Sequence, residues 1–181
     1  MEARAGQAVI ELLQGDITEQ DTEAIVNAAN RTLLGGGGVD GAIHRAAGPQ
    51  LLSECRTLGG CETGDAKITR GYKMKARHVI HTVGPVYHSA GQKAPELLAR
   101  CYRRSLEVAS ENNLKSIAFP SISTGAYGYP LREAAPIALK TVADYLNSHE
   151  GIQTVRFILF GKEAYEAYEE ALKDLLQEKA L

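Results

Sequence analysis

Nothing in the sequence approaches the apolar run of about 20 residues that a membrane-crossing helix needs, so no spanning segment is expected. The opening stretch MEARAGQAVIELLQGD lacks the basic-then-apolar layout of a secretory signal. Neither sign of charge is in excess. The formal net charge of -2 gives no bulk electrostatic reason to expect nucleic acid or an anionic membrane surface. Cysteine is scarce: Cys55, Cys61 and Cys101 are odd in number and scattered, with no CxxC pair and no histidine at metal-ligand spacing. That argues against a disulfide framework and a zinc site, and reduced thiols in a cytoplasmic protein are expected. No serine sits in a GxSxG elbow, so a hydrolase triad of that kind has no nucleophile. Internal repeats and low-complexity tails are absent as well.

What is there is enough for one domain. The chain has 181 residues, 44% of them hydrophobic, which suits a single compact unit with a sizeable core. It is organised around residues 27–44, NAANRTLLGGGGVDGAIH. A short apolar run gives way to polar residues and then to four successive glycines, Gly35, Gly36, Gly37 and Gly38. Each glycine held in one conformation costs roughly 0.5–1 kcal/mol relative to alanine. A tight turn needs only one or two, and a linker does not fit between patterned apolar flanks. A binding loop does.

Taken in order, residues 1–7 are expected to be a loose terminus and 8–181 a single domain. Strands are predicted at 8–14, 24–28, 66–71, 79–83, 116–120 and 154–160. Each is a short apolar or alternating run bounded by turn residues. Asp16, in GDIT, can cap a turn or aim its carboxylate at a ligand. Asn27 stands inside an apolar strand, so it should be buried and hydrogen-bond nearby backbone. Asn30 falls just past the strand, at the mouth of the loop. One helix or two are predicted over 41–55, interrupted at Gly48-Pro49. Asp40 and His44 are four apart, which puts them on one face of a helix that starts at Asp40. Asp40 as a simple N-cap, and His44 as a packed or surface histidine, are the plain alternatives. Lys73, Lys75, Arg77 and His78 read as a solvated edge, because no aromatic residues interleave them.

Residues 84–93 read as loop. Residues 95–112 form an amphipathic helix with Leu98, Cys101, Tyr102, Ser105, Leu106 and Ala109 in its stripe. A second loop, SISTGAYGYP at 121–130, is rich in glycine and hydroxyls. Helices at 132–147 and 163–178 follow. Pro136 requires a first-turn position or a kink in the former. Tyr165, Tyr168, Leu172, Leu175 and Leu176 form the stripe of the latter. Strands alternating with helices, with glycine loops at strand ends, indicate an α/β sheet covered on both faces. Several connections lack helices, so the sheet should be mixed.

Two loops leading from strands toward helices offer free backbone N–H groups, an anion site that needs no lysine or arginine. Ser123 and Thr124 add hydroxyls, and the Tyr127 ring can lie against a sugar or pack in the core. A diphosphate is the natural guest. Gly36-x-Gly38-x-x-Gly41 matches a dinucleotide fingerprint, but that site wants an acid at a second strand end about 20 residues on. Residues 55–65 are turn-rich instead, and Asp40 would put a negative charge inside the phosphate turn. The P-loop pattern fails because no Lys-Ser/Thr follows a GxxxxG.

GDIT at 15–18, VNAAN at 26–30, LLGGGGVDGAIHRAAG at 33–48 and SISTGAYGYP at 121–130 together resemble the macrodomains, in particular the MacroD-like class. The motifs stand in matching order, and the likeness spans residues 8–178. The resemblance implies a three-layer α/β/α macrodomain with a six-stranded mixed sheet. It also implies binding of ADP-ribose and hydrolysis of mono-ADP-ribosyl esters on acidic side chains and of O-acetyl-ADP-ribose. No cofactor and no metal are implied. Implied partners are ADP-ribose, ADP-ribosylated proteins and O-acetyl-ADP-ribose, with nucleic acid only if itself ADP-ribosylated, no membrane, and a monomer.

Carried onto this chain, the resemblance has Asp16 accepting from the adenine amino group, Ile17 giving a backbone contact and Phe160 packing on the base. The backbones of Gly35, Gly36, Gly37, Gly38 and Val39, and of Ser123, Thr124, Gly125, Ala126 and Tyr127, would cradle the diphosphate. Ala28, Ile122 and Gly128 belong to the same lining. Asn30 and Asp40 would face the distal ribose with Tyr127 against it. Asp40 would orient or deprotonate the attacking water or a ribose hydroxyl, with His44 tuning it. Two other classes stay open: a non-catalytic ADP-ribose reader, and a diphosphate-cleaving enzyme, which usually needs clustered carboxylates around magnesium.

Overall fold

The computed structural model describes residues 1–178; the expected domain end at residue 181 lies outside the described residues. Its strands are β1 Glu2–Ala5, β2 Ala8–Gln14, β3 Ala24–Ala29, β4 Ala66–Arg70, β5 His78–Val83, β6 Ser116–Phe119 and β7 Thr154–Leu159. Its helices are α1 Gly38–Ala47, α2 Pro49–Arg56, α3 Tyr87–Ala90, α4 Ala94–Glu111, α5 Leu131–Ser148 and α6 Lys162–Gln177. All seven strands join one mixed sheet in the order β1-β2-β7-β6-β3-β5-β4. The five inner strands run parallel, and antiparallel β1 and β4 close the two edges.

The inner strands are covered on both faces, and their alternation shows it. In β3, Ala24 and Val26 join the larger core with α4, α5 and α6, while Ile25 and Ala29 join the smaller core with α1 and α2. In β5, Ile80 faces the larger core, and Val79 and Val83 the smaller. Successive side chains point to opposite faces, so a strand buried on both sides reads as an unbroken apolar run. The same parity puts Asn27 and His81 on the side of the smaller core.

Several expectations are corrected. Residues 1–7 are not loose: Glu2–Ala5 pairs antiparallel with β2, and the Leu12 N–H donates to the Met1 carbonyl at 2.8 Å. This seventh strand escapes sequence reading because the alternation in EARA is only four residues long and its apolar positions are alanines, which have little strand preference; a ladder on a neighbour holds it. Residues 84–93 are not all loop, since α3 and a 3-10 turn at Gly91–Lys93 lie there. Pro136 falls in the second turn of α5, not the first. Leu176, placed in the buried stripe of α6, is 40% exposed.

Candidate functional site

The C-terminal ends of the five parallel strands meet along one rim of the sheet, where α/β proteins take ligands. Asp16 follows β2, Phe160 follows β7, Ser121–Gly128 follows β6, Asn30–Val39 follows β3 and Gly84 follows β5. Five adjacent strands at about 4.8 Å spacing make a rim roughly 19 Å long. An extended, two-ended ligand fits such a rim better than a compact one. The middle and the β5 end close into a cleft of about 310 Å³, lined by both glycine loops.

The first loop is built by Asn30. Its Oδ1 accepts from Thr32 N–H, Thr32 Oγ1 and Leu33 N–H, and its Nδ2 donates to the Gly35 carbonyl at 2.9 Å. One amide proton of Asn30 is left for the cleft. Buried Leu33 sits at φ 60, a region non-glycine residues rarely adopt. The loop ends in α1, which starts at Gly38 with Gly37 as its N-cap. Asp40 is therefore not a cap, as one alternative had it; it stands in the first helical turn. Gly37, Gly38 and Val39 line the cleft, and the first N–H groups of a helix have no intrahelical carbonyl. They suit an anion.

Asp40 is only 5% exposed, and its two oxygens face different ways. Oδ1 accepts from Asn27 Nδ2 at 2.8 Å. Oδ2 lies toward Gly36, where an added Cβ would stand 3.1 Å from Oδ2 and 3.4 Å from Asn30 Nδ2. Only glycine leaves both groups that close to the cleft. His44 Nε2 is 3.4 Å from Asp40 Oδ1 but has no hydrogen-bond partner among the described residues. Asn27 also touches His81 Nδ1 at 3.1 Å. It bonds two side chains, not the nearby backbone the sequence suggested.

The second loop turns at Ser123, whose φ is 66. Its hydroxyl is buried, lines the cleft and has no hydrogen-bond partner among the described residues. A Cβ on Gly84 would fall 2.2 Å from that oxygen, so glycine is obligatory there. Gly125, Ala126 and half-buried Tyr127 complete the wall. The Thr124 hydroxyl turns back to Ser121, so it is not the free donor expected. Ile122 is fully buried and its N–H donates to the Tyr102 hydroxyl. Its donor is spent inside the protein. Gly128 N–H closes the turn on the Gly125 carbonyl.

At the other end of the rim the Gly15 N–H donates to the Leu159 carbonyl, which sets the Asp16 turn beside Phe160. Asp16 Oδ1 caps a 3-10 turn by accepting from Thr18 N–H and Thr18 Oγ1, leaving Oδ2 outward. Ile17 buries its side chain in the smaller core. Phe160 is 91% exposed. These three form an open shelf outside the closed cleft. Ala28 lines the cleft, as does Ser121 of the second loop, and so do Ala29 and Gly84, which sequence reasoning missed. Gly84, directly after a buried strand, was the legible clue among them. Among the described residues no group of three or more His, Cys, Asp or Glu is arranged to hold a metal ion.

With this geometry in view, the likenesses to known proteins are informative. A family model described as Macro domain matches residues 26–138. A macro domain-containing protein of Chlorobaculum tepidum is 57% identical over 164 residues, covering 91% of this chain and 95% of its own length. The ADP-ribose glycohydrolase MACROD2 of Xenopus laevis is 52% identical over 91% of this chain, which spans only 40% of that protein. A solved Oceanobacillus iheyensis macrodomain with ADP superposes with a TM-score of 0.95 at 45% identity, covering 98% of this chain and 97% of that one. A Trypanosoma brucei macrodomain in complex with ADP-ribose gives 0.85 at 48% identity, covering 90% and 68%. Identity at this level along nearly the whole chain, on a shared fold, places the chain in the macrodomain family.

Proposed function

We propose that the rim binds ADP-ribose, with adenine on the Phe160 shelf and the distal ribose beside Asp40. We further propose that the protein is a hydrolase releasing ADP-ribose from mono-ADP-ribosylated acidic side chains and acetate from O-acetyl-ADP-ribose. The observation that carries the reading is the split environment of Asp40. One oxygen is fixed by Asn27, and the other lies toward Gly36, on the side of the cleft that the Asn30 amide also faces. A carboxylate oriented this way can take a proton from water as the water adds to the ester. The ester C–O bond breaks, the water proton ends on the departing oxygen, and the products are ADP-ribose and a carboxylic acid. General-base help of this kind is worth roughly 10²–10⁴-fold. The remainder comes from diphosphate anchoring, which turns the attack into a positioned, effectively unimolecular step. Asp16 would accept from the adenine amino group through its outward oxygen, and Tyr127 would lie against the sugar.

The test is mass spectrometry of products from a glutamyl-ADP-ribosylated protein, run on the wild type and on Asp40→Asn. Intact ADP-ribose from the wild type supports the hydrolase. Bound but unprocessed ligand would make the protein a reader, and AMP would mean diphosphate cleavage. In Asp40→Asn the amide oxygen can still accept from Asn27, so near-native stability is expected, with turnover lower by roughly two to four orders of magnitude. Near-native turnover in that variant would remove Asp40 as the base.

A further inference from the structure

The smaller core holds a polar seam that no requirement of packing explains. Asn27 on β3 and His81 on β5 are register partners, and both are fully buried. His81 Nε2 lies 2.9 Å from Thr69 Oγ1 of β4, and Thr69 Oγ1 is 3.1 Å from the Arg70 carbonyl. Thus four side chains, Thr69, His81, Asn27 and Asp40, run in line across the sheet to the carboxylate in the cleft. Cys55 Sγ of α2 also approaches His81 Nε2, at 3.8 Å.

One set of bond directions gives every proton along the seam an acceptor. In it the Thr69 hydroxyl donates to the Arg70 carbonyl, which only accepts, and the Thr69 oxygen accepts the proton of His81 Nε2–H. A neutral imidazole with its proton on Nε2 has a lone pair on Nδ1. That lone pair accepts from Asn27 Nδ2–H, whose second proton goes to Asp40 Oδ1. The cost is visible: Asn27 Oδ1 is buried without a partner among the described residues. An amide flipped to relieve that atom would turn its oxygen toward both the carboxylate and the imidazole lone pair. The tautomer of His81 therefore decides whether Asp40 meets a donor or a repelling carbonyl.

We propose that His81, backed by Thr69, is a positioning residue for the reaction: it holds Asn27 in the amide orientation that anchors Asp40. This rests on the hydrolase reading for its consequence in turnover, but not for its consequence in Asn27 itself. Burial keeps the imidazole neutral, with its pKa lowered to about 3 and nearby His44 acting in the same sense.

Two variants separate positioning from mere core filling. His81→Asn puts an amide oxygen where Nδ1 stood and keeps the acceptor for Asn27. His81→Gln reaches Thr69 instead and leaves Asn27 without that acceptor. The readouts are exchange of the Asn27 side-chain amide protons followed by NMR, ADP-ribose affinity, and single-turnover hydrolysis. In His81→Gln the exchange rate of the Asn27 side-chain amide protons should shift upward as they lose an acceptor, and hydrolysis per folded molecule should fall roughly 10–100-fold as the carboxylate loses its orientation. Affinity should hold, because backbone groups carry the diphosphate. His81→Asn should reverse most of both changes. If His81→Gln unfolds, the near-isosteric Thr69→Val, which frees the tautomer, should show the same shift in smaller degree. Unchanged exchange of the Asn27 amide protons in these variants overturns the proposal, as do equal losses in His81→Gln and His81→Asn that follow the folded fraction. Variants whose Asn27 amide exchange changes as expected, beside a wild type that releases no ADP-ribose, overturn the hydrolase reading alone.

Discussion

At the scale of single residues, the site is made by side chains whose hydrogen-bonding capacity is nearly used up within the protein, so what remains points into the cleft. Asn30 spends its oxygen on three donors and keeps one proton. Asp16 spends one oxygen on its cap. Phe160 is the opposite case, a large apolar ring left 91% exposed directly after a strand whose last three residues, Phe157, Ile158 and Leu159, are in the core. An exposed ring adds little to folding, and Phe160→Ala should leave the melting temperature unchanged. Base stacking on an aromatic face is worth on the order of 1–3 kcal/mol. ADP-ribose should therefore bind the variant weakly, by calorimetry, while ribose 5-phosphate binds it as well as the wild type. Equal losses for the two ligands would remove the base from this shelf.

At the scale of elements, the loop after β6 is held from behind by helices that never reach the cleft. Tyr102 of α4 accepts the Ile122 N–H at 3.1 Å, and Tyr168 of α6 donates to Ser121 Oγ at 2.8 Å. The two hydroxyls are 3.4 Å apart, and burial pushes both phenols above their ordinary range. The sequence marked these tyrosines as members of helical stripes, which they are; their hydroxyls were not legible, because periodicity reports the face of a helix and not what its tip meets. The same limit applies to Asn27 and His81. A polar residue inside an apolar strand signals a buried partner, and the partner lies in another element. By contrast the inner strands, the long helices and both glycine loops were legible, since two-sided burial and glycine runs leave local marks. Tyr168→Phe should lower ADP-ribose affinity by about fivefold, the worth of one hydrogen bond. The turnover rate at saturation should stay unchanged. A fall in that rate with affinity intact would show that the pair reaches the reacting atoms and not the phosphate loop.

At the scale of the whole molecule, the sheet divides an apolar core under α4, α5 and α6 from a smaller one, under α1 and α2, that carries the polar seam. That asymmetry sets how the protein should respond to acid. His81 faces Asn27 on β3, Thr69 on β4 and Cys55 on α2, with Asp40 and His44 of α1 beyond Asn27. Its folded pKa of about 3 lies below the ordinary 6.5 of an exposed histidine. Above that ordinary value both states are neutral, and the full stability is present. As the pH falls between the two values the unfolded chain takes a proton that the folded one refuses, so stability drops by about 1.4 kcal/mol per pH unit from this group. Carboxylates add their own losses at the acid end, but those are common to the wild type and to His81→Asn, which has no imidazole to titrate. Urea unfolding of the two proteins at intervals from pH 7 to pH 4 isolates the difference. The stability gap between them should be constant above pH 7 and narrow steadily below about pH 6, by one proton's worth per unit. Parallel curves would mean that His81 charges within the folded protein, and a charged imidazole has no lone pair to offer Asn27.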